Sequence, residues 1–90
     1  MLNTLEELIK LIRERKKNPP KNSYTKKLLE NKNLSLAKVK EEIGELIEAV
    51  ETKTNTVHEA ADVLYHLVVY LEANNINIEN VMDELEKRKK

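Results

Sequence analysis

The chain has 90 residues, which allow a single domain, 1–90, and a domain this small buries only about 60% of its unfolded surface, so self-association is favoured. It contains no cysteine, which excludes disulfides and thiolate-bound metal, and no apolar run approaches the roughly 20 residues that span a bilayer; together with the acidic first residues, these features predict a cytoplasmic protein. Its 16 basic and 16 acidic side chains give zero net charge, which argues against a nucleic-acid binder.

The first two predicted helices flank a pair of prolines at 19–20. Thr4 and Glu7 have the spacing of a capping box, and charged residues continue the helix up to the prolines, which stop it. Ser23 is the predicted N-cap of a short second helix, which breaks at 31–33. The apolar stripe of the first helix recurs at helical intervals and comprises Leu5, Leu8, Ile9 and Ile12.

Three further helices are predicted in the remainder of the chain. The third spans 36–51 with Ser35 as its cap, and Gly44 in its middle predicts close approach of another backbone. The fourth spans 57–73 and is apolar on nearly all sides, which is typical of a buried helix. The last begins near Asn77, and its predicted inner face comprises Val81, Met82 and Leu85. The pattern predicts an all-α antiparallel bundle of about five helices, completed by dimerisation.

Acidic residues recur at helical spacing on the third and fourth helices. The third carries Glu41, Glu42 and Glu45, and the fourth opens with Glu59 and Asp62, so the members of each set are neighbours on a helix surface. An uncompensated carboxylate at Asp62, in the most apolar segment, is costly. Ligands that are all oxygen suit Mg²⁺, or alternatively Mn²⁺, rather than zinc. On spacing alone, pairing with Lys or Arg, or helix capping, explains these acids equally well.

Charge is unevenly distributed along the chain. Residues 1–30 contain eight basic and four acidic side chains, whereas residues 31–90 contain eight basic and twelve acidic ones. The simpler interpretation is that the two halves attract each other. The alternative is a divided site, in which cations bind an anionic ligand and carboxylates bind a metal.

These motifs resemble those of a known family. Glu-Glu-x-x-Glu at 41–45, followed by Glu-x-x-Asp at 59–62, is similar to the signature of the all-α nucleoside triphosphate pyrophosphohydrolases, the MazG-like group. The chain departs from the family pattern at Lys40, where glycine is common, and at Gly44, where alanine is usual. The resemblance narrows to the phosphoribosyl-ATP pyrophosphohydrolases of histidine biosynthesis at segments 14–16, 23–28, 38–42, 59–67 and 76–81.

The resemblance implies a homodimeric enzyme that hydrolyses phosphoribosyl-ATP to phosphoribosyl-AMP and pyrophosphate with Mg²⁺. It implies a metal-binding group of carboxylates, in which Glu42 and Glu45 are the candidates to activate water. The members of this group are Glu41, Glu42, Glu45, Glu59 and Asp62. The substrate-binding candidates offer cations or hydroxyl groups to phosphate oxygens and are Arg15, Lys16, Ser23, Tyr24, Thr25 and Lys27.

Several alternatives stay open at this point. Ser23 is equally explained as a plain N-cap and Tyr24 as a packing aromatic. His66 either hydrogen-bonds to Asp62 or is a buried structural histidine, and His58 is interpreted as a helix-start residue. Two other functions compete: a MazG-like pyrophosphatase acting on (d)NTPs, against which the Ser-Tyr-Thr segment argues, and a non-catalytic helical dimerisation module.

Overall fold

Five α-helices joined by short connections form the fold in the computed structural model, which describes residues 2–21 and 23–89. The predicted all-α class is confirmed, and the described residues contain no strand. Within the same residues, no helix combines the length and the apolar character needed to cross a membrane. The helices are α1 (Asn3–Lys17), α2 (Tyr24–Glu30), α3 (Lys32–Thr52), α4 (Thr56–Ala73) and α5 (Ile78–Arg88).

The hydrophobic core lies where α1, α2 and α4 meet. Its fully buried members come from all three helices, with Ile12 from α1, Leu28 from α2, and Val68 and Val69 from α4. Each aliphatic side chain removed from water in this way contributes roughly 1.5–3 kcal/mol. The predicted stripe of α1 supplies the next shell, since the half-buried side chains packed against the core are Leu5, Leu8, Ile9, Leu29 and Tyr65.

Helices α3 and α4 form the most extensive helix pair, an antiparallel hairpin. The turn between them is tight because Lys53 and Asn55 adopt left-handed backbone conformations, with φ of 59° and 51°. The N–H of Lys53 is bonded to the carbonyl of Ala49, which closes the end of α3. This turn brings the first turns of α4 beside the second half of α3, so that acidic residues from both helices meet.

Helix α3 begins earlier than the sequence predicts, because Asn31 rather than Ser35 caps it. The side-chain oxygen of Asn31 accepts the N–H of Leu34 at 3.0 Å. Asparagine and serine are both good N-caps, so the pattern alone does not choose between them. Ser35 instead lies inside the helix and is buried, with only 1% of its surface exposed.

Two local predictions about helix interiors are wrong. Helix α1 begins at Asn3 after Leu2, which makes no side-chain cap bond, so Thr4 lies within the helix and the predicted capping box does not form. No atom of another segment lies within 4 Å of the position that a Cβ would take at Gly44. The expected close approach of another backbone at Gly44 is therefore absent among the described residues.

Helix α5 is held by polar contacts rather than by a buried apolar face. Of its predicted inner side chains, Val81 is half-buried, whereas Met82 and Leu85 are 47% and 50% exposed. The prediction is wrong for these two because only α4 packs against α5. The guanidinium of Arg13 donates to both carboxylate oxygens of Glu79, at 2.6 and 2.8 Å, and so ties α1 to the start of α5.

Candidate metal centre

The α3–α4 hairpin brings four of the five predicted carboxylates into one cluster. Glu42 and Glu45 on α3 and Glu59 on α4 each place an oxygen within 4.8 Å of the others. A second group with the same spacing comprises His58, Glu59 and Asp62. Glu59 belongs to both groups, so the two form one continuous acidic site. Several carboxylate oxygens at these separations suit a hard divalent cation such as Mg²⁺.

Two carboxylate oxygens of the cluster are buried without a partner. Oε2 of Glu42 and Oε2 of Glu59 are shielded from solvent and accept no hydrogen bond from the described residues. Burial, followed by the neighbouring Glu45 carboxylate, raises the pKa of Glu42. Burial and the same Glu45 carboxylate raise the pKa of Glu59 as well. Half-buried acids that each keep one shielded, unpaired oxygen beside like-charged neighbours are what a bound cation compensates, so these residues fit the predicted metal.

Asp62 is not the buried carboxylate that the apolar sequence around it predicts. Its side chain is 36% exposed, and Oδ2 lies 3.4 Å from Nε2 of His58. The shielded carboxylate oxygens without a hydrogen-bond partner belong to Glu42 and Glu59 instead. His58, interpreted from the sequence as a helix-start residue, therefore belongs to the site, and its i, i+4 spacing from Asp62 was the signal available for this.

Glu41 is the predicted metal ligand that lies outside both groups. Its side chain is 50% exposed, and Oε2 accepts a hydrogen bond from the Lys38 ammonium at 3.0 Å. The side chain of Lys38 thus stands one helical turn before the cluster. Glu41 is four residues from Glu45 and so adjoins the cluster on the helix surface, but its carboxylate is paired with Lys38.

Tyr24 links the Ser-Tyr-Thr segment to the helix that carries Glu59 and Asp62. The Tyr24 hydroxyl lies 3.0 Å from Nε2 of His66, and Nδ1 of His66 lies 2.8 Å from the backbone carbonyl of Asp62. A carbonyl only accepts, so Nδ1 carries the proton, and in the neutral imidazole Nε2 then accepts from Tyr24. His66 is 7% exposed, and the described contact is with the Asp62 backbone rather than with its carboxylate.

The two hydroxyl residues that flank Tyr24 are already engaged within the chain. Ser23 Oγ accepts the N–H of Lys26 at 3.2 Å, which makes Ser23 the N-cap of α2. Thr25 is buried, and its hydroxyl is hydrogen-bonded to that of Tyr65 on α4. Tyr24 is the segment's exposed member, at 46%.

The basic candidates are not gathered at the cluster. The Lys16 ammonium donates to the carbonyl of Glu72 at 2.7 Å and to the side chain of Asn75 at 2.8 Å, at the end of α4. Glu59 is in the first turn of α4, and 13 residues of helix separate the two ends by about 20 Å. Arg15 is half-buried, Lys27 is exposed, and neither forms an ion pair with a described residue.

Comparison with known proteins identifies the family of the chain. The helical hairpin that opposes Glu-Glu-x-x-Glu on α3 and Glu-x-x-Asp on α4 is the arrangement expected of the all-α pyrophosphohydrolases that the sequence resembles. Residues 5–89 match the phosphoribosyl-ATP pyrophosphohydrolase family model, and the chain belongs to this family. The family predicted from the sequence is therefore confirmed.

Individual relatives match over nearly the whole chain. The phosphoribosyl-ATP pyrophosphatase of Rhizobium johnstonii is 44% identical over 88 residues, which cover 94% of this chain and 82% of the relative. That of Methanoculleus marisnigri is 41% identical over 93 residues, covering 98% and 96%. The histidine biosynthesis bifunctional protein HisIE of Pyrococcus furiosus is 41% identical over 90 residues, which cover 99% of this chain and 43% of the relative.

Proposed function

We propose that this chain hydrolyses phosphoribosyl-ATP to phosphoribosyl-AMP and pyrophosphate, a step of histidine biosynthesis. The family match over 5–89 and the names of the relatives support the substrate. The observation that carries the chemistry is the meeting of Glu42, Glu45 and Glu59 within 4.8 Å, with two buried oxygens that no described residue satisfies.

The cluster supplies the ligands for a divalent ion. Glu42, Glu45, Glu59 and Asp62 would hold Mg²⁺, with Mn²⁺ as the alternative. When bound, such an ion neutralises phosphate charge and acidifies water. Of the two catalytic candidates, Glu45 is exposed and Glu42 is half-buried, so Glu45 is better placed to take a proton from the attacking water.

The substrate side of the proposal centres on Tyr24. Its side chain is 46% exposed and its hydroxyl is fixed by His66, so the residue is positioned to meet the nucleotide. Arg15 and Lys27 stay in the proposal as phosphate contacts, since neither cation is paired with a described carboxylate. Ser23, Thr25 and Lys16 are the weaker candidates, because internal hydrogen bonds already hold their side chains elsewhere.

The proposed active form is a homodimer. Both helices of the hairpin leave apolar rows exposed, between 39% and 59% for each side chain. A second copy of the chain would cover these rows and remove them from water. The rows comprise Ile43, Ile47 and Val50 on α3, and Leu64 and Leu67 on α4.

The proposal is tested by supplying phosphoribosyl-ATP and a panel of dNTPs to the purified protein with Mg²⁺. We expect release of pyrophosphate from phosphoribosyl-ATP, and its loss in Asp62→Asn. The same pair of proteins is compared for rescue of a histidine auxotroph that lacks this step. Efficient cleavage of dNTPs alone would favour the MazG-like alternative, and full activity in Asp62→Asn would contradict the metal site.

A further inference from the structure

One cation shares the helix face of the carboxylate cluster. Lys38, Glu42 and Glu45 stand at positions i, i+4 and i+7 of α3, which places them in one row along the helix. Lys38 comes first in the row, about 6 Å along the axis from Glu42. Its side chain is 34% exposed, so its ammonium is accessible from solvent. Lys40, by contrast, lies two residues away from both Lys38 and Glu42, on another face of α3, and is exposed.

The charge of Lys38 also acts on the Tyr24 hydroxyl. Burial raises the pKa of Tyr24, and the charge of Lys38 is the largest influence that opposes this rise. The hydrogen bond to Glu41 raises the pKa of Lys38, and the negative charge of Glu42 adds to this rise. The charge of Lys38 therefore acts both on the tyrosine of α2 and on Glu42, the nearest member of the carboxylate row.

We propose that Lys38 binds the phosphate chain of the substrate and retains the pyrophosphate product. In this proposal Glu41 binds the Lys38 ammonium while the substrate is absent, and does not bind metal. This inference rests on the proposed function. With one divalent ion bound, the cluster of four carboxylates would keep net negative charge, so a cation on the same helix face would favour a polyphosphate beside it. An exposed lysine–carboxylate pair is weak, and Lys38 can exchange Glu41 for a phosphate oxygen, to which an ammonium binds as a point charge.

The test compares Lys38→Gln with the matched control Lys40→Gln. Losing one charge-assisted hydrogen bond should raise the KM for phosphoribosyl-ATP and the inhibition constant of inorganic pyrophosphate by about tenfold or more. The Mg²⁺ concentration for half-maximal activity should stay unchanged, and Lys38→Arg should recover part of the loss. Lys40→Gln should match the wild type. Values for Lys38→Gln within about twofold of the control would overturn the assignment.

Glu41→Gln tests the second half of the inference. Glu42→Gln should raise the Mg²⁺ concentration needed for activity, whereas Glu41→Gln should leave it unchanged. Glu41→Gln should also bind pyrophosphate at least as tightly as the wild type, because Lys38 is no longer paired with Glu41. A Mg²⁺ requirement raised in both variants, or weaker pyrophosphate binding in Glu41→Gln, would overturn it. The Glu41→Gln measurement also decides the case if Lys38→Gln does not fold.

Failure of the two proposals is distinguishable. An inactive wild type would count against the proposed function alone. Calorimetry of Mg²⁺–pyrophosphate binding to the wild type, Lys38→Gln and Lys40→Gln still reports on Lys38, because it requires no turnover.

Discussion

The Tyr24 hydroxyl donates to Nε2 of His66 at 3.0 Å, and this bond fastens the exposed end of α2 to the buried side of α4. The other ring nitrogen of His66 is bonded to the carbonyl of Asp62, one turn earlier. A second link joins the hydroxyls of Thr25 and Tyr65. The tyrosine expected at the nucleotide and the helix that presents Glu59 are thereby held in fixed relation.

Tyr24→Phe removes this bond while keeping the ring. We expect it to lower the free energy of unfolding by about 1 kcal/mol, since a hydrogen bond is lost and buried Nε2 of His66 loses its partner. Misplacement of the segment should reduce kcat/KM by roughly three- to tenfold. Urea denaturation and steady-state kinetics measure the two effects.

Tyr70→Phe is the control for this change. Tyr70 lies on α4, the helix that carries His66, and its hydroxyl makes no hydrogen bond with the described residues. If Tyr24→Phe behaves like Tyr70→Phe in both measurements, the link between Tyr24 and His66 does not position the site.

Glu59→Gln should stabilise the metal-free protein. The pKa of Glu59 is raised in the folded state from 4.5, so the native state binds its proton more tightly than the unfolded chain does. Stability of the metal-free wild type should therefore fall as the pH rises above about 4.5. Glu59→Gln removes this loss, and its melting temperature at pH 7 should exceed that of the wild type.

Magnesium should make the wild type more stable than Glu59→Gln, which reverses their order in the metal-free state. At about 100 times its dissociation constant, Mg²⁺ should stabilise the wild type by about 2.7 kcal/mol and Glu59→Gln much less. Melting curves with and without Mg²⁺ check this, with Glu51→Gln, an exposed acid on α3, as control. Equal stabilisation of both proteins by Mg²⁺ would remove Glu59 from the metal site.

The sequence predicted the all-α class and the pairing of acids because both depend on local spacing. Positions three and four apart share a helix face wherever the helix lies. Which acid becomes buried depends instead on the rotation of α4 against α3. Asp62 was therefore expected to be shielded, whereas the structure shields one carboxylate oxygen of Glu59 and places Asp62 beside His58.

Long-range pairing was equally invisible in the sequence. Lys16 was expected at the phosphate, but its contacts, Glu72 and Asn75, are 56 and 59 residues away along the chain. The predicted start of α3 was wrong for a different reason, because Asn31 and Ser35 are both suitable N-caps. Only the packing of α3 decides that Ser35 is buried inside the helix.

Glu79→Gln should destabilise the protein at neutral pH but not in strong acid. The Arg13 guanidinium holds the pKa of Glu79 at about 2, below the ordinary value of 4.5. The ion pair therefore contributes stability above pH 4.5, and this contribution is lost as the pH falls towards 2.

Melting temperatures measured from pH 7 to pH 2 test this dependence. The difference between the wild type and Glu79→Gln should shrink steadily below pH 4.5, whereas Asp83→Asn, an exposed acid on α5, should follow the wild type throughout. A difference that persists unchanged at pH 2 would show that Glu79 stabilises α5 by some route other than its charge.

Ile47→Lys should separate the proposed dimer. Ile47 is 55% exposed in the middle of the apolar row on α3. Burying an isoleucine contributes roughly 1.5–3 kcal/mol, and a lysine in its place would also bring a charge into the interface. The dissociation constant should therefore rise by about 100-fold or more, since each 1.4 kcal/mol is a factor of ten.

Sedimentation of the wild type and the variant over a range of concentrations measures this shift. Leu2→Lys is the control, because Leu2 is an apolar residue that is 78% exposed and lies outside the α3–α4 hairpin. Like the wild type, the control should remain dimeric. If Ile47→Lys sediments as the control does, the α3 row is not the interface, and the dimer must use another surface or not form.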